Sequence, residues 1–231
     1  MSSKRRVVVT GLGIVSPLGN DLETTWKNIL NGESGAARIT KFDASDFSTT
    51  FAAELKGYDD ISGLTQKETR RIDPFVQYAL TASDQAITDA NLALENLDTK
   101  RIGVSIGSGI GGLGSIEDNS IILKEKGPKK ISPFFVPGAI INMASGNVAI
   151  KYNLQGPNIS IVSACSSAGH SIGYSARTIS YGDADIMITG GSEAGITPLG
   201  LAGFNASKAL STNNENPKKA SCPWDKKRDG F

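Results

Sequence analysis

The order of apolar and polar positions along the chain alternates between segments typical of strands and segments typical of helices. Short runs of β-branched residues, such as the Val-Val-Val within residues 6–10, favour strands buried on both faces. Longer segments with apolar residues three and four positions apart favour amphipathic helices. Such alternation indicates an α/β fold with a largely parallel sheet. We predict strands over 6–10, 101–107, 158–164 and 186–189, helices over 20–32, 74–92, 115–125, 138–151, 166–181 and 198–210, and irregular structure or a poor hairpin over 33–64.

Capping signals mark where several helices begin. Asn20 with Glu23, and Thr65 with Glu68, have the spacing of a capping box. Asp73-Pro74 is typical of an N-cap followed by the first helical position. Apolar residues share one face of three predicted helices: Leu22, Trp26, Ile29 and Leu30; then Phe75, Ala79, Ala82, Ala86 and Ala90, predicted to face inward; then Ala168, Ile172, Ala176 and Ile179.

Composition and charge exclude several classes of protein. The 231 residues carry 24 Lys and Arg against 23 Asp and Glu, so the net charge of +1 directs the chain to neither nucleic acid nor an anionic membrane. Two Cys are too few for a disulfide scaffold and lack the spacing of a zinc site, so no metal is predicted. No apolar run approaches the roughly 18 residues of a membrane span, and the start lacks the apolar region of a signal peptide. We therefore expect a cytoplasmic protein without membrane insertion.

Cys165 is the sharpest candidate for chemistry. It lies between a predicted strand and a predicted helix, in Ser163-Ala-Cys-Ser-Ser-Ala-Gly169. A thiol in the first helical turn meets unpaired N–H groups and the positive end of the helix dipole, which favour the thiolate. Small neighbours allow a substrate carbonyl to approach, as at a nucleophile elbow. Position alone also fits a small thiol that only packs. His170, the single histidine, is predicted to pack or support rather than reach the sulfur.

Two glycine-rich segments imitate nucleotide-binding turns. The first, within VVVTGLGIVSPLG, has the order strand, glycines and helix, but its spacing is G-x-G-x₅-G with Pro17 inside. The second, Ser108–Gly114, precedes no strong cap. We interpret both as tight backbone turns rather than phosphate cradles, and a nucleotide-dependent oxidoreductase is the least favoured alternative. Basic residues also cluster near 67–71, 124–130 and 218–228, which would suit an acidic protein partner if several converge.

Six separated motifs, in order, resemble the β-ketoacyl synthases of the thiolase superfamily, and most closely their synthase II branch. The likeness runs from about residue 4 to the last residue. The motifs are VVVTGLGIVSPLGN at the start, IGSGIGGLGSIE at 106–117, ISPFFVPGAIINMASG at 131–146, GPNISIVSACSSAGHSIG at 156–173, YGDADIMITGGSEAGITPLGLAGF at 181–204 and KALSTNNENPKKASCPWDKKRDGF at 208–231.

The resemblance implies an α/β thiolase-like fold. Residues 1–231 would form the N-terminal half of a layered α-β-α-β-α architecture with a mixed, largely parallel core sheet, and the C-terminal half is absent from this chain. The resemblance also implies a reaction of fatty acid biosynthesis, in which an acyl chain passes from acyl carrier protein to Cys165. Malonyl-acyl carrier protein is then decarboxylated and condensed with it. The implied partners are acyl carrier protein and, for the full-length family, a second identical subunit; phosphopantetheine arrives on the carrier, so no resident cofactor is expected.

The resemblance also implies roles for further residues of this chain. The backbone amide of Cys165 would be one oxyanion donor. Residues implied to line the acyl pocket are Ile110, Phe135, Ala164, Gly200 and Phe204. Basic residues implied to dock the acidic carrier protein are Lys67, Arg70, Arg71, Lys129, Lys130 and Lys208.

The chain departs from the family pattern in its catalytic set. The two histidines, the lysine and the Gly-Phe-Gly loop that the family uses lie in the second half of its members. His170 matches the family's histidine in the helix after the nucleophile, which is not one of the catalytic pair. We therefore expect the chain alone to be incompetent for condensation, although Cys165 could still take an acyl group. The alternative is a non-catalytic fragment that binds carrier protein or dimerises.

Overall fold

A computed structural model describes residues 5–58 and 63–231. The described chain divides into two compact units, one formed by residues 5–13 and 63–194 and the other by 14–58 and 195–231. The elements in chain order are α1 (Leu22–Leu30), β1 (Ala37–Arg38), β2 (Phe51–Ala52), α2 (Gln66–Thr69), α3 (Pro74–Asp89), β3 (Ile102–Gly107), α4 (Leu113–Lys126), α5 (Phe135–Ala139), α6 (Met143–Tyr152), β4 (Asn158–Ile159), α7 (Ser167–Tyr181), β5 (Ile186–Gly191) and α8 (Pro198–Ala206).

The first unit is built on a parallel sheet with β3 in its centre. The strand order is β4-β3-β5, and β3 runs in register with β5 from Ile102 opposite Ile186 to Gly107 opposite Gly191. One face of β3 presents Ile102, Val104 and Ile106 to α3 and α6, where they form the apolar core. The parallel strands over 101–107 and 186–189 were therefore predicted correctly from their β-branched pattern.

The opposite face of β3 packs against α7, and small residues make the contact. A Cβ atom at Gly107 would lie 2.8 Å from the carbonyl oxygen of Ser167. The buried side of α7 consists of Ser and Thr residues. The predicted apolar face of this helix is not the buried one, since Ile172 is 49% exposed. The small Ser and Thr residues face the sheet in place of the apolar ones, because only small side chains let the helix backbone approach the sheet this closely. The buried residues of α7 are Ser167, Ser171, Ser175 and Thr178.

Residues 6–10 form no strand, contrary to prediction. Their backbone has no assigned secondary structure, and Val8 and Val9 are 65% and 76% exposed. A β-branched run favours an extended backbone, but a strand also requires a neighbour for its ladder. Arg5 nevertheless holds this segment to the start of β5, with its guanidinium 2.6 Å from the Asp185 carboxylate.

Gly11 and Gly13 serve close packing rather than a phosphate. A Cβ at Gly11 would lie 2.7 Å from the Cβ of Ala90, and one at Gly13 would lie 2.7 Å from the backbone nitrogen of Ala86. The N–H of Leu12 donates to the Asp89 carboxylate at 2.8 Å. The segment therefore lies directly on α3, against three of the alanines predicted to face inward.

Several predicted boundaries move for local reasons. The N-cap of α1 is Asp21 rather than Asn20, because the Asp21 carboxylate accepts the N–H of Thr24. The predicted helix 138–151 is two helices, since Ile140 adopts an extended conformation after α5. The predicted strand 158–164 shortens to β4, and α8 ends at Ala206, before Lys208 in the left-handed region.

The second unit contains α1, the antiparallel pair of β1 with β2, and α8. The predicted irregular excursion 33–64 thus contains a short antiparallel pair within its described part. Buried Thr49 donates its hydroxyl to the carbonyl of Ser211 at 2.8 Å, and buried Glu54 accepts the hydroxyl of Thr40 at 2.7 Å. The apolar face predicted for α1 is exposed, and Thr25 is the residue that this helix buries. No helix in the described part of the chain combines the length and apolarity needed to cross a bilayer.

Candidate active site

Cys165 lies in a tight turn directly before α7. Ala164 adopts the left-handed conformation, with φ of 53°. The N–H of Ser166 donates to the carbonyl of Ser163 at 3.2 Å, and that of Ser167 donates to the carbonyl of Ala164 at 3.1 Å. The Cys165 thiol is free and exposed. The cysteine therefore precedes the helix by two residues rather than lying in its first turn, and we call residues 163–167 the cysteine turn.

Side chains of α7 hold the cysteine turn in place. The Ser167 hydroxyl donates to the carbonyl of Ala164 at 2.7 Å and accepts the N–H of Ser163 at 2.9 Å. The Ser163 hydroxyl lies 2.6 Å from Nδ1 of His170. His170 thus contacts the turn through Ser163, one residue away from the alanine that carries the strained backbone.

A glycine loop, residues 108–112, follows β3 beside the cysteine turn. The carbonyl of Ser108 accepts the Ser167 hydroxyl at 3.2 Å. A Cβ at Gly109 would lie 3.4 Å from the carbonyl atoms of Ala164. At its other end, the N–H of Gly112 donates to the carbonyl of Ala139 at 2.9 Å. The glycine loop therefore links the cysteine turn to α5.

The backbone N–H groups of the glycine loop bind a carboxylate of the protein itself. Oε2 of Glu193 accepts the N–H of Gly109 at 2.6 Å and that of Ile110 at 2.9 Å. Oε1 accepts the N–H of Gly111 at 3.2 Å. Amides that would otherwise cradle a phosphate are thus occupied, which supports the interpretation of this segment as a backbone turn. Glu193 was missed at the sequence level; an acidic residue just after the glycines that end a buried strand was the available signal.

The residues implied to line an acyl pocket fall in both units. Ile110 lies on the glycine loop with a 41% exposed side chain, and Ala164 lies in the cysteine turn. Phe135 is half-buried at the start of α5, the helix that the loop contacts. Gly200 and Phe204 lie on α8 of the second unit, where Gly200 is buried and Phe204 packs edge-on against Phe231, 5.6 Å between ring centroids.

The six basic residues implied to dock a carrier protein are all exposed. Lys67 lies on α2, whose capping box between Thr65 and Glu68 forms as predicted. Hydrogen bonds from Thr65 lower the pKa of the Glu68 carboxyl. The guanidinium of Arg71 lies 4.6 Å from the ring centroid of Phe134. The remaining members are Arg70 at the end of α2, Lys129 and Lys130 in the 3₁₀ turn 128–130, and Lys208 in the second unit.

Curated proteins that share one name match almost the whole chain. The chain is 54% identical over 229 residues to a 3-oxoacyl-[acyl-carrier-protein] synthase 2 of Vibrio cholerae, and the match covers 99% of this chain and 55% of the relative. A protein of the same name from Coxiella burnetii is 56% identical over 228 residues, covering 99% and 55%. The chain thus spans about half the length of the curated relatives that it matches.

Solved structures resemble the fold over nearly the whole chain. A β-ketoacyl synthase from Burkholderia phymatum has a TM-score of 0.87 at 29% identity, covering 98% of this chain and 56% of that one. The AntDE:AntF complex, a type II PKS acyl-carrier protein with its ketosynthase, gives a TM-score of 0.86 at 33% identity, covering 99% and 55%. These neighbours confirm the predicted α/β, thiolase-like fold of an N-terminal half.

A family model decides the assignment. The model for the β-ketoacyl synthase N-terminal domain matches residues 4–231, the range over which the ordered motifs run. With a free thiol in the turn before α7 and a parallel sheet beneath it, the chain belongs to the β-ketoacyl synthase family.

Proposed function

We propose that the protein is a β-ketoacyl-acyl-carrier-protein synthase of fatty acid synthesis and that Cys165 carries the acyl chain as a thioester. The exposed thiol in a tight turn before α7 is the observation that carries this proposal. Curated relatives named 3-oxoacyl-[acyl-carrier-protein] synthase 2 support the reaction class. A solved ketosynthase in complex with an acyl-carrier protein supports the kind of partner.

The acyl-transfer step needs a nucleophile and a donor for the oxyanion. The Cys165 thiolate attacks the thioester carbonyl of the acyl carrier protein, and a new carbon–sulfur bond forms. The bond to the carrier's sulfur then breaks, and the carrier leaves as a thiolate that takes up a proton. The positive end of α7 lies next to the charge that develops, and the N–H of Cys165 is the proposed oxyanion donor.

Ile110, Phe135 and Ala164 of the first unit are proposed to line the acyl pocket, and for Gly200 and Phe204 the pocket role stays what the family resemblance implies. Condensation with malonyl-acyl carrier protein uses two histidines in the family. These 231 residues include one histidine, and it is engaged with Ser163. We therefore assign acyl transfer to this part of the protein and expect condensation only in the full-length enzyme. A single domain over 1–231, homodimer assembly and a cytoplasmic location stay predictions.

The test is intact-mass spectrometry of the full-length protein after incubation with acyl-acyl carrier protein. We expect one acyl adduct on Cys165 and none in the Cys165→Ala variant. Cys222→Ala is the matched control and should keep the adduct, since Cys222 is the other free thiol of the chain. A folded protein that takes no adduct, or takes it on Cys222, would contradict the proposal.

The same assay examines the carrier-protein surface. The transfer rate should fall as salt rises, because exposed charges are screened. Replacing Lys129 and Lys130 by Glu should lower the low-salt rate about tenfold with acyl carrier protein and leave a small acyl thioester unaffected. Lys226→Glu with Lys227→Glu, in another exposed basic run, is the control. Salt-sensitive carrier binding without any adduct would favour the non-catalytic binding module instead.

A further inference from the structure

The Glu193 carboxylate anchors the glycine loop through hydrogen bonds. Three consecutive backbone N–H groups, those of residues 109–111, converge on its two oxygens at 2.6–3.2 Å. Hydrogen bonds to a charged acceptor are about twice as strong as neutral ones. One side chain therefore holds three consecutive residues, of which Gly111 also donates its N–H to the Ser108 hydroxyl at 3.2 Å.

The backbone that carries Glu193 is itself held by the core of the first unit. Gly191 lies opposite Gly107 in the parallel ladder, so both strands end at the same edge of the sheet. The N–H of Ser192 donates to the carbonyl of Gly107 at 3.0 Å. The Ser192 hydroxyl donates to the carbonyl of buried Phe75 at 2.6 Å. Glu193 thus projects from a rigid base toward a loop that follows the neighbouring strand.

The glycine loop packs closely through its backbone but has few side chains to fix it. Gly111 adopts a left-handed conformation with φ of 81°, and a Cβ there would lie 2.6 Å from Cγ1 of Ile141. A Cβ at Gly112 would lie 2.8 Å from that of Ala139. The loop is therefore squeezed against α5 and the residues after it, without side chains to interlock. Ile110 carries its one large side chain, and that side chain is partly exposed.

We propose that Glu193 is a positioning residue for acyl transfer: it holds the glycine loop against the cysteine turn and thereby sets the position of the Ile110 side chain, a proposed wall of the acyl pocket. The proposal rests on the proposed function and names the residue that makes the site selective. With the loop held, the site discriminates between acyl chains of different length. With the loop released, Ile110 moves with it and discrimination falls.

Graded substitutions separate the three hydrogen bonds from the charge. Glu193→Gln keeps one oxygen, which can accept from Gly109 and Ile110, but it loses the charge and leaves Gly111 with the Ser108 hydroxyl as its acceptor. Glu193→Ala loses all three acceptors. Glu95→Gln, an exposed glutamate of the 3₁₀ turn 94–96, makes the same chemical change away from the loop.

The experiment measures kcat/KM for acylation of Cys165 in the full-length enzyme, with a series of acyl carrier proteins from short to long chains. We expect the ratio between the best and the poorest chain length to fall at least tenfold in Glu193→Ala, about threefold in Glu193→Gln and less than twofold in Glu95→Gln. In an Ile110→Ala background, Glu193→Gln should change the ratio no further, because the side chain that the loop positions is gone.

The outcomes distinguish the two proposals. An unmodified enzyme that takes no acyl group on Cys165 contradicts the proposed function itself. Normal acylation with an unchanged chain-length ratio in the Glu193 variants overturns the positioning role alone, and so does an equal loss of rate at every chain length. If Glu193→Ala does not fold, the nearly isosteric Glu193→Gln decides by the same ratio.

Discussion

At the scale of single residues, Gly13 shows how packing can produce a misleading motif. Its φ is not in the left-handed region, so its backbone conformation does not require glycine. What excludes a side chain is α3, because a Cβ would lie 2.9 Å from the Cβ of Gln85 and 2.7 Å from the backbone nitrogen of Ala86. The strand-like start followed by glycines thus imitates a dinucleotide-binding turn for a purely steric reason.

Gly13→Ala should destabilise the protein by about 1–3 kcal/mol, the usual cost of overpacking. Gly146→Ala is the matched control, since its new Cβ would meet Met143 at an ordinary 3.5 Å inside α6. Alanine in a helix interior is favoured over glycine by up to about 1 kcal/mol, so this control should be neutral or stabilising. Urea denaturation of the full-length protein measures both free energies of unfolding. Equal free energies of unfolding for the two variants would contradict the prediction, because they would show that α3 shifts to accommodate the new Cβ.

At the scale of elements, one buried carboxylate joins the starts of two helices. Asp73 is 2% exposed and caps α3 by accepting the N–H of Phe75 at 3.2 Å. Its other oxygen accepts the N–H of Ser115 at 3.0 Å and the Ser115 hydroxyl at 2.8 Å, in the first turn of α4. Sequence predicted the cap, because Asp-Pro is a local signal. The contact with Ser115 lies 42 positions away and has no local signal.

Asp73→Ala should lower the free energy of unfolding by about 2–4 kcal/mol, since it removes a cap and leaves two donors of Ser115 without their acceptor. Asp73→Asn should cost less, because one acceptor oxygen remains. Asp98→Ala, which removes an exposed cap of the 3₁₀ turn 99–101, should cost about 1 kcal/mol or less. Thermal and urea unfolding of the three variants give the comparison; a loss at Asp73 no larger than that at Asp98 would contradict the linking role.

At the scale of the whole molecule, the chain builds its first unit from two segments that are separated in sequence, and Asp185 joins the N-terminal segment to the sheet of the other. The Asp185 carboxylate pairs with Arg5 at 2.6 Å and with Arg101 at 3.0 Å. Arg5 begins the described N-terminal segment, Arg101 directly precedes β3, and Asp185 directly precedes β5. Hydrogen bonds from Arg101 and then from Arg5 lower the pKa of Asp185 to about 2. The pairing is on the surface, so its contribution is small and is screened by salt.

The depressed pKa gives a pH prediction with a definite sign. Between pH 4 and 2 the unfolded chain binds more protons at this position than the folded protein does, so stability falls as the pH falls through this window. The difference in unfolding free energy between the unmodified protein and Asp185→Asn should be constant above about pH 5 and should fall away as the pH drops through about 2. Urea denaturation across that range, in low and high salt, measures it. A difference that persists unchanged at pH 2 would contradict the ion pairs.

What the sequence determined by itself is local. Thr65 with Glu68 and Asp73 with Pro74 mark helix starts because capping involves residues at most three positions apart. The apolar runs of β3 and β5, and a cysteine between a strand and a helix, are likewise visible because periodicity and turn residues act over a few positions. These features were enough for the fold class and for placing Cys165 in a turn before a helix, while its catalytic role stays a prediction.

Tertiary structure decided the rest. Val7, Val8 and Val9 form no strand, because a ladder needs a neighbour that periodicity cannot supply. The buried face of α7 carries Ser171 rather than Ile172, because the distance between helix and sheet selects the small residues. Glu193 reaches the glycine loop across more than 80 positions, because parallel strands bring their ends to one edge only after the sheet has formed. Contacts between distant segments depend on how elements pack, and no local pattern records that.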